Sequence, residues 1–160
     1  MTGIAFTPIG TVRSPHHDPR DMPIQPVGAR GIRGTIELDP TYAAGLRDLE
    51  GFSRIILLYH FHRSEGYALE VVPFLDKMPR GVFATRAPRR PNAVGLSMLK
   101  LIAVDGATLT VEDVDILDGT PVLDIKPYVP AFDAFPEERA GWLTATSGAA
   151  RTMRSDGRFC

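Results

Sequence analysis

Glycine and proline punctuate this chain so often that no long helix fits between them. The 15 glycines and 14 prolines follow no repeating period and exceed average usage. Between them, apolar residues collect in short runs. Residues 6–12 alternate loosely around Ile9-Gly10-Thr11-Val12 and read as a first strand. Residues 34–38 give a second, and 55–61 (IILLYHF) a third, apolar on both faces and therefore central. Further strands are expected over 69–74, 81–85 and 122–125. Two runs, 95–104 and 108–115, flank Asp105-Gly106, a dipeptide that signals a tight hairpin turn. Helix signals are sparse. Asp39 as cap with Pro40 at the first helical position predicts a short helix over 40–49, and 136–143 reads as a helical turn. Pro15, Pro19, Pro23 and Pro26 exclude a helix from 14–31 and predict a long, semi-rigid loop. Seven or eight short strands against two short helices, with no βαβ alternation, argue for a barrel or curled antiparallel sheet and against a dinucleotide fold.

At 160 residues the chain matches one domain, large enough to bury roughly 70% of its unfolded surface without disulfide or metal. Residues 1–143 are expected to form that domain and 144–160 a frayed polar tail. Eighteen basic and 19 acidic residues leave a net charge of −1, so whole-chain charge gives no support for nucleic-acid binding. The lone Cys160 cannot form an internal disulfide, and a frayed terminus is a poor place for a nucleophile. The start lacks a basic-then-apolar leader, and no apolar run approaches membrane-spanning length. The expectation is a cytoplasmic protein with no membrane association.

Chemistry concentrates in two stretches. In 85–97 (TRAPRRPNAVGLS), Arg86, Arg89 and Arg90 sit among prolines that restrict the backbone. Preorganised guanidinium groups suit carboxylate or phosphate, although a solvated basic turn reads the same way. The second stretch, Leu117-Asp118-Gly119-Thr120-Pro121, is a tight turn with Gly119 free to take positive φ. Asp124 and Lys126 follow on one strand face, where a buried Asp–Lys pair is the plain structural reading. His60 and His62, two apart, would share a strand face and invite a metal. Without cysteine or a Glu/His cluster at ligand spacing, a pocket role for His62 is the better account. His16 and His17, in the proline loop, are candidate acid–base groups or solvated loop residues.

The segments 81–92 (GVFATRAPRRPN), 94–97 (VGLS) and 117–130 (LDGTPVLDIKPYVP) closely resemble the TsaA-like, TrmO-type family. Supporting matches are 9–15, Gln25-Pro26, 49–53 and Phe61-His62, all in the family's order. Ala87 and Ala93 stand where Ser and Pro are more usual, and the match is to the short form without a C-terminal extension. The resemblance implies an all-β fold: a closed or nearly closed antiparallel β-barrel with one or two short helices, forming a homodimer. It implies S-adenosyl-L-methionine as cofactor, held by Gln25, Pro26, Val27, His62, Arg63, Arg86, Leu96, Leu117, Asp118, Gly119 and Thr120. It further implies methylation of N6 on the threonylcarbamoyl-adenosine beside the anticodon of a threonine tRNA. Arg89, Arg90 and Asn92 would then meet the tRNA, and no metal is expected. Arg86 could pair with the cofactor's carboxylate, Asp118 could accept from its hydroxyl or amino groups, and the turn backbone could meet the adenine edge. The catalytic base stays unassigned: Asp124, His62 or a backbone carbonyl could serve. The alternatives are a methyltransferase of this fold acting on another nucleoside or small molecule, and a non-catalytic cofactor-binding module.

Overall fold

The computed structural model describes residues 2–20, 22–23, 26–74 and 76–144. Its eight strands are β1 (Gly10–Arg13), β2 (Arg33–Leu38), β3 (Arg54–His60), β4 (Glu70–Val71), β5 (Arg80–Gly81), β6 (Val94–Asp105), β7 (Thr108–Glu112) and β8 (Pro121–Pro127). Six of them close into an antiparallel barrel in the order β1-β2-β7-β6-β3-β8, and β4 and β5 form a separate two-stranded sheet. Closure runs through a short seam in which Gly10 faces Val122 and Thr11 faces Pro121. The expected all-β barrel is therefore the fold.

β3 is the central strand, paired with β6 along its whole length and with β8 on its other edge. Its side chains alternate: Ile55, Leu57 and Tyr59 point inward and are buried, whereas Arg54, Ile56 and Leu58 are half-buried on the outer face. Across the register, Ile55 opposes Leu99, Leu57 opposes Ser97 and Tyr59 opposes Gly95. Along these two strands the interior thus changes from aliphatic to polar and small toward one end. The core is completed by Val12, Ile36, Leu109, Val111, Val114, Ile116 and Val122, each at most 2% exposed. Register shifts between Leu58 and Tyr59, and between Leu101 and Ala103, add the local bends that closing a small barrel requires.

The Asp105-Gly106 hairpin forms as expected, with Gly106 at φ +60. Several boundaries move. The first strand begins at Gly10 rather than residue 6, and Phe6 is 73% exposed. The strands expected over 69–74 and 81–85 shrink to β4 and β5, the latter running into a 3-10 turn at Val82–Ala84. Asp39 does cap its helix by accepting from the Thr41 amide at 2.9 Å, but the helix is a 3-10 helix ending at Leu46. Near the C-terminal end, a short α1 (Pro130–Asp133) and a 3-10 turn (Gly141–Leu143) replace the turn expected over 136–143. The expected tail lies outside the described residues beyond Thr144.

The long loop after β1 is pinned rather than loose. Ser14 Oγ donates to Ile116 O at 2.5 Å, and His16 Nε2 lies 2.8 Å from Val114 O. Farther on, Pro26–Ala29 forms a 3-10 turn beside β6. Asp113, at φ +67, accepts from the Gly31 amide (2.8 Å) and from Arg54 Nη2 (3.0 Å). That fixes the start of the segment leading to β8.

Candidate functional site

The antiparallel register brings the C-terminal ends of β1 and β3 to the same barrel end as the N-terminal ends of β6 and β8. Both motif-bearing loops therefore meet there, together with the proline loop and residues 61–69. This end is the candidate site.

The turn at 117–120 is locked onto the chain that continues β1. Gly119 N donates to Val12 O (2.8 Å), Asp118 N to His16 O (2.8 Å) and Thr120 N to Leu117 O (3.3 Å). Thr120 Oγ1 also donates to Leu117 O at 2.7 Å, and the residue is buried. Asp118 Oδ1 accepts from the Ser14 amide at 3.1 Å, and Oδ2 lies 3.6 Å from His17 Nδ1. The amides of 118, 119 and 120 are thus engaged within the protein. Gly119, at φ +82, leaves a gap under the His62 ring: a Cβ there would lie 4.0 Å from Nε2.

His60 and His62 do not share a strand face. His60 ends β3, and the His62 amide donates to His60 O at 2.8 Å, folding the chain out of the strand. The imidazole of His62 is held below its ordinary pKa, first by partial desolvation and then by the nearby His60 and Arg63 charges. It is therefore neutral at physiological pH. Arg63 is exposed and donates to His17 O at 3.3 Å, bridging the two loops.

The three arginines of the basic loop have different surroundings. Arg90 Nη1 donates to Thr85 O and Ala87 O, both at 3.0 Å, and so holds the loop's own curve. Thr85 tightens the same curve, giving its hydroxyl to Val82 O (2.8 Å) and accepting from the Ala87 amide (3.2 Å). Arg89 is half-buried, with its Nε buried and without a hydrogen-bond partner, as is Ser64 Oγ. Arg86 is exposed, and its charge reaches Asp115 and Tyr59. Asn92 is exposed at the loop's far end. Leu96, 39% exposed, lies on the outer face of β6 opposite Leu58, one residue from the inward-facing Ser97.

Asp124 stands apart from this end's polar interior. Its carboxylate pairs with Lys126 at 2.8 Å and caps the Ile125 amide at 2.9 Å, but the pair is not buried as expected: both side chains are about half exposed, because this strand face turns outward. Gln25 lies outside the described residues; Pro26 and Val27 open the 3-10 turn beside β6. Sequence reasoning missed a polar chain. Tyr59 Oη lies 2.9 Å from Ser97 Oγ, which donates to Asp115 Oδ1 at 2.7 Å. Desolvation pushes the Asp115 carboxyl up to about 7, against the lowering effects of Ser97, its own backbone and Arg86. The sequence signal was the inward series on β3 and β6, where a tyrosine and a serine occupy positions otherwise aliphatic.

A closed antiparallel barrel with an arginine loop, a histidine and a half-buried carboxylate gathered at one end places the protein in the β-barrel class, not among doubly wound nucleotide folds. The family model of the tRNA-methyltransferase O N-terminal domain matches residues 11–134, and the chain belongs to this family. A probable S-adenosyl-L-methionine-binding protein of Pyrococcus abyssi is 50% identical over 156 residues, covering 98% of this chain and 85% of the relative. The tRNA (adenine(37)-N6)-methyltransferase of Escherichia coli is 36% identical, covering 93% of this chain and 68% of that enzyme. A crystal structure of TrmO from Pseudomonas aeruginosa superposes with a TM-score of 0.74 at 39% identity. That match covers 88% of this chain but 63% of the TrmO chain, and an Archaeoglobus fulgidus relative is matched over 42% of its length.

Proposed function

We propose that this protein is an S-adenosyl-L-methionine-dependent methyltransferase whose acceptor is N6 of the threonylcarbamoyl-adenosine beside the anticodon of a threonine tRNA. The observation that carries the reading is a coincidence of extents. The family match over 11–134 takes in all of the closed barrel but its first residue, Gly10, and the loops gathered at its end. The Escherichia coli relative, named for methylating adenine 37 of tRNA, supplies the acceptor.

The residues present fit the cofactor. Arg89 Nε and Ser64 Oγ are buried polar atoms without partners, a costly arrangement that a polar ligand relieves. Arg86 suits the amino-acid carboxylate through a charge-assisted hydrogen bond. Gly119 and the neutral His62 offer a flat edge, and Leu96, Arg63 and 117–120 complete the expected set with Gln25, Pro26 and Val27. Once bound, the cofactor supplies an electrophilic methyl group. The chain's contribution is to hold the acceptor nitrogen in line with it, and such positioning supplies roughly 7–11 kcal/mol of barrier lowering. Arg89, Arg90 and Asn92 meet the tRNA on this reading, and Arg90 Nη1 also holds the loop's curve through Thr85 O and Ala87 O.

The protein works as a homodimer in the cytoplasm on this reading. Val94 (40% exposed) and Leu96 (39%) lie exposed on the outer face of β6, an apolar surface that a second copy would cover. Among the described residues, no helix is long and apolar enough to cross a membrane. Calorimetry with purified protein tests the cofactor part: one site per chain is expected, and no binding at millimolar cofactor by folded protein would remove the basis of the reading. Transfer of labelled methyl in extract from a strain lacking this gene tests the acceptor class. Label in RNA is expected, whereas label confined to small molecules would shift the assignment to a small-molecule methyltransferase.

A further inference from the structure

The basic loop 85–92 has two feet of unequal strength. At its far end the chain enters the barrel ladder, with Val94 of β6 opposite His60 of β3. At its near end it comes from β5 and the 3-10 turn Val82–Ala84. There the ladder is only two pairs long, Glu70 with Gly81 and Val71 with Arg80. So short a ribbon is marginal by itself, and the cluster beneath it is small: Val71, Val82 and Ala87, with Ala68 packed against them. Trp142 reaches this weaker foot from a segment far along the sequence. Its Nε1 donates to Ala84 O at 2.7 Å, which satisfies one of the last carbonyls of a helical turn. Its ring centroid lies 5.5 Å from Arg80 Cζ, within cation–π reach. Arg80 is tied in turn to Asp76, Nε to Oδ2 at 2.5 Å, and Asp76 Oδ1 accepts from the Lys77 and Met78 amides. The indole therefore spans residues 80–84 and holds that segment at both ends.

We infer that Trp142 is a positioning residue for the basic loop: by clamping Ala84 O and Arg80 it fixes the near foot of 85–92, so that Arg86 and its neighbours meet their ligand already placed. The inference rests on the reading of this loop as the part that holds the cofactor. Trp142 itself touches no ligand. It acts through Thr85, the residue after Ala84, which carries the curve of the loop: its carbonyl accepts from Arg90 Nη1 at 3.0 Å, and its hydroxyl donates to Val82 O at 2.8 Å. A shift at Ala84 is thereby passed to Arg90 on one side and to Arg86, the next residue, on the other. The gain is entropic, because a loop held in its binding conformation loses less freedom when the ligand arrives. Trp142 is half-buried and lies outside the barrel core, so its contacts serve this segment and not the barrel.

Calorimetry of the full chain with S-adenosylmethionine tests this on Trp142→Phe, which keeps an aromatic ring against Arg80 and removes the donor to Ala84 O. Affinity is expected to fall by about threefold to tenfold, as for one lost hydrogen bond. In an Arg86→Ala background the same substitution should cost much less, because the group it places is gone. A residue that only stabilised the fold would lower the melting temperature and leave that coupling at zero. Trp142 is also the chain's only tryptophan, so its emission reports the clamp without any variant. Coupling between clamp and ligand is reciprocal, and quenching of the wild-type emission by acrylamide should therefore fall as S-adenosylmethionine saturates the protein. This second measurement keeps the test decisive if Trp142→Phe folds poorly. Equal affinity in wild type and Trp142→Phe, an equal loss with and without Arg86, or quenching unchanged at saturation would overturn the inference and leave the cofactor reading standing. Failure of the folded wild-type protein to bind S-adenosylmethionine would overturn both.

Discussion

Asp115 is a residue whose surroundings depart from what its type requires. Its carboxyl is raised to about 7 in the folded protein, while the unfolded chain has the ordinary carboxylate value. Between those two values the folded state binds more protons than the unfolded state, so this group's contribution to stability is full below the lower value and is lost as pH rises through 7. Urea denaturation across pH 4 to 8 should show that decline in the wild type and a flatter profile in Asp115→Asn. Equal profiles would mean that the carboxyl is well solvated. Gly95 is the second such position. A Cβ there would sit 2.6 Å from Tyr59 Cζ and 2.9 Å from Phe61 Cζ, in a T-shaped pair whose ring centroids are 5.5 Å apart. Gly95→Ala is therefore expected to destabilise the fold by about 1–3 kcal/mol through overpacking, measured by the same denaturation. A neutral effect would show that the rings yield freely.

At the level of elements, the basic loop divides its arginines by task. Arg86→Ala should weaken cofactor binding roughly tenfold to a hundredfold, the cost of losing one charged hydrogen bond. Arg90→Ala should instead lower stability or loosen the loop, since Arg90 Nη1 is what ties Thr85 O and Ala87 O together. Calorimetry and thermal melts on both variants separate the two, and matched effects on affinity would contradict the division. The elements also show how far the sequence can be read. The β6–β7 hairpin was legible because Asp105-Gly106 is a local signal, and central β3 because its apolar run is continuous. The start of β1 was not, because residues 6–9 alternate like a strand but the paired register with β2 and β8 begins at Gly10, with Ile9 reaching the ladder through its bonds to Val122 O and Asp39 N alone. His62 leaves the strand through a bond to His60 O, which no spacing rule anticipates. Asp115 was missed for a related reason. Its burial depends on Ser97 and Tyr59, 18 residues away on β6 and farther still on β3, whereas the local pattern Val-Asp-Ile reads as a polar residue turned outward.

For the whole molecule, the motifs that were far apart in the chain converge because antiparallel closure places the relevant strand ends together. The family match and the barrel cover the same stretch, which is why the fold class was readable from motifs when its register was not. A net charge of −1 is low for a protein that grips tRNA. A dimer that joins two arginine loops into one local basic surface would reconcile the two, and binding would then weaken steeply with salt. Light scattering at micromolar concentration should report about twice the 17.5 kDa chain mass, and a monomer that still methylates RNA would contradict that arrangement. The central claim, transfer of a methyl group to a carbamoylated adenosine in tRNA, is tested most directly by mass spectrometry of nucleosides from threonine tRNA incubated with the protein and S-adenosylmethionine. The account predicts a gain of one methyl mass on threonylcarbamoyl-adenosine; methylation confined to unmodified adenosine, or absent from every nucleoside, would contradict it.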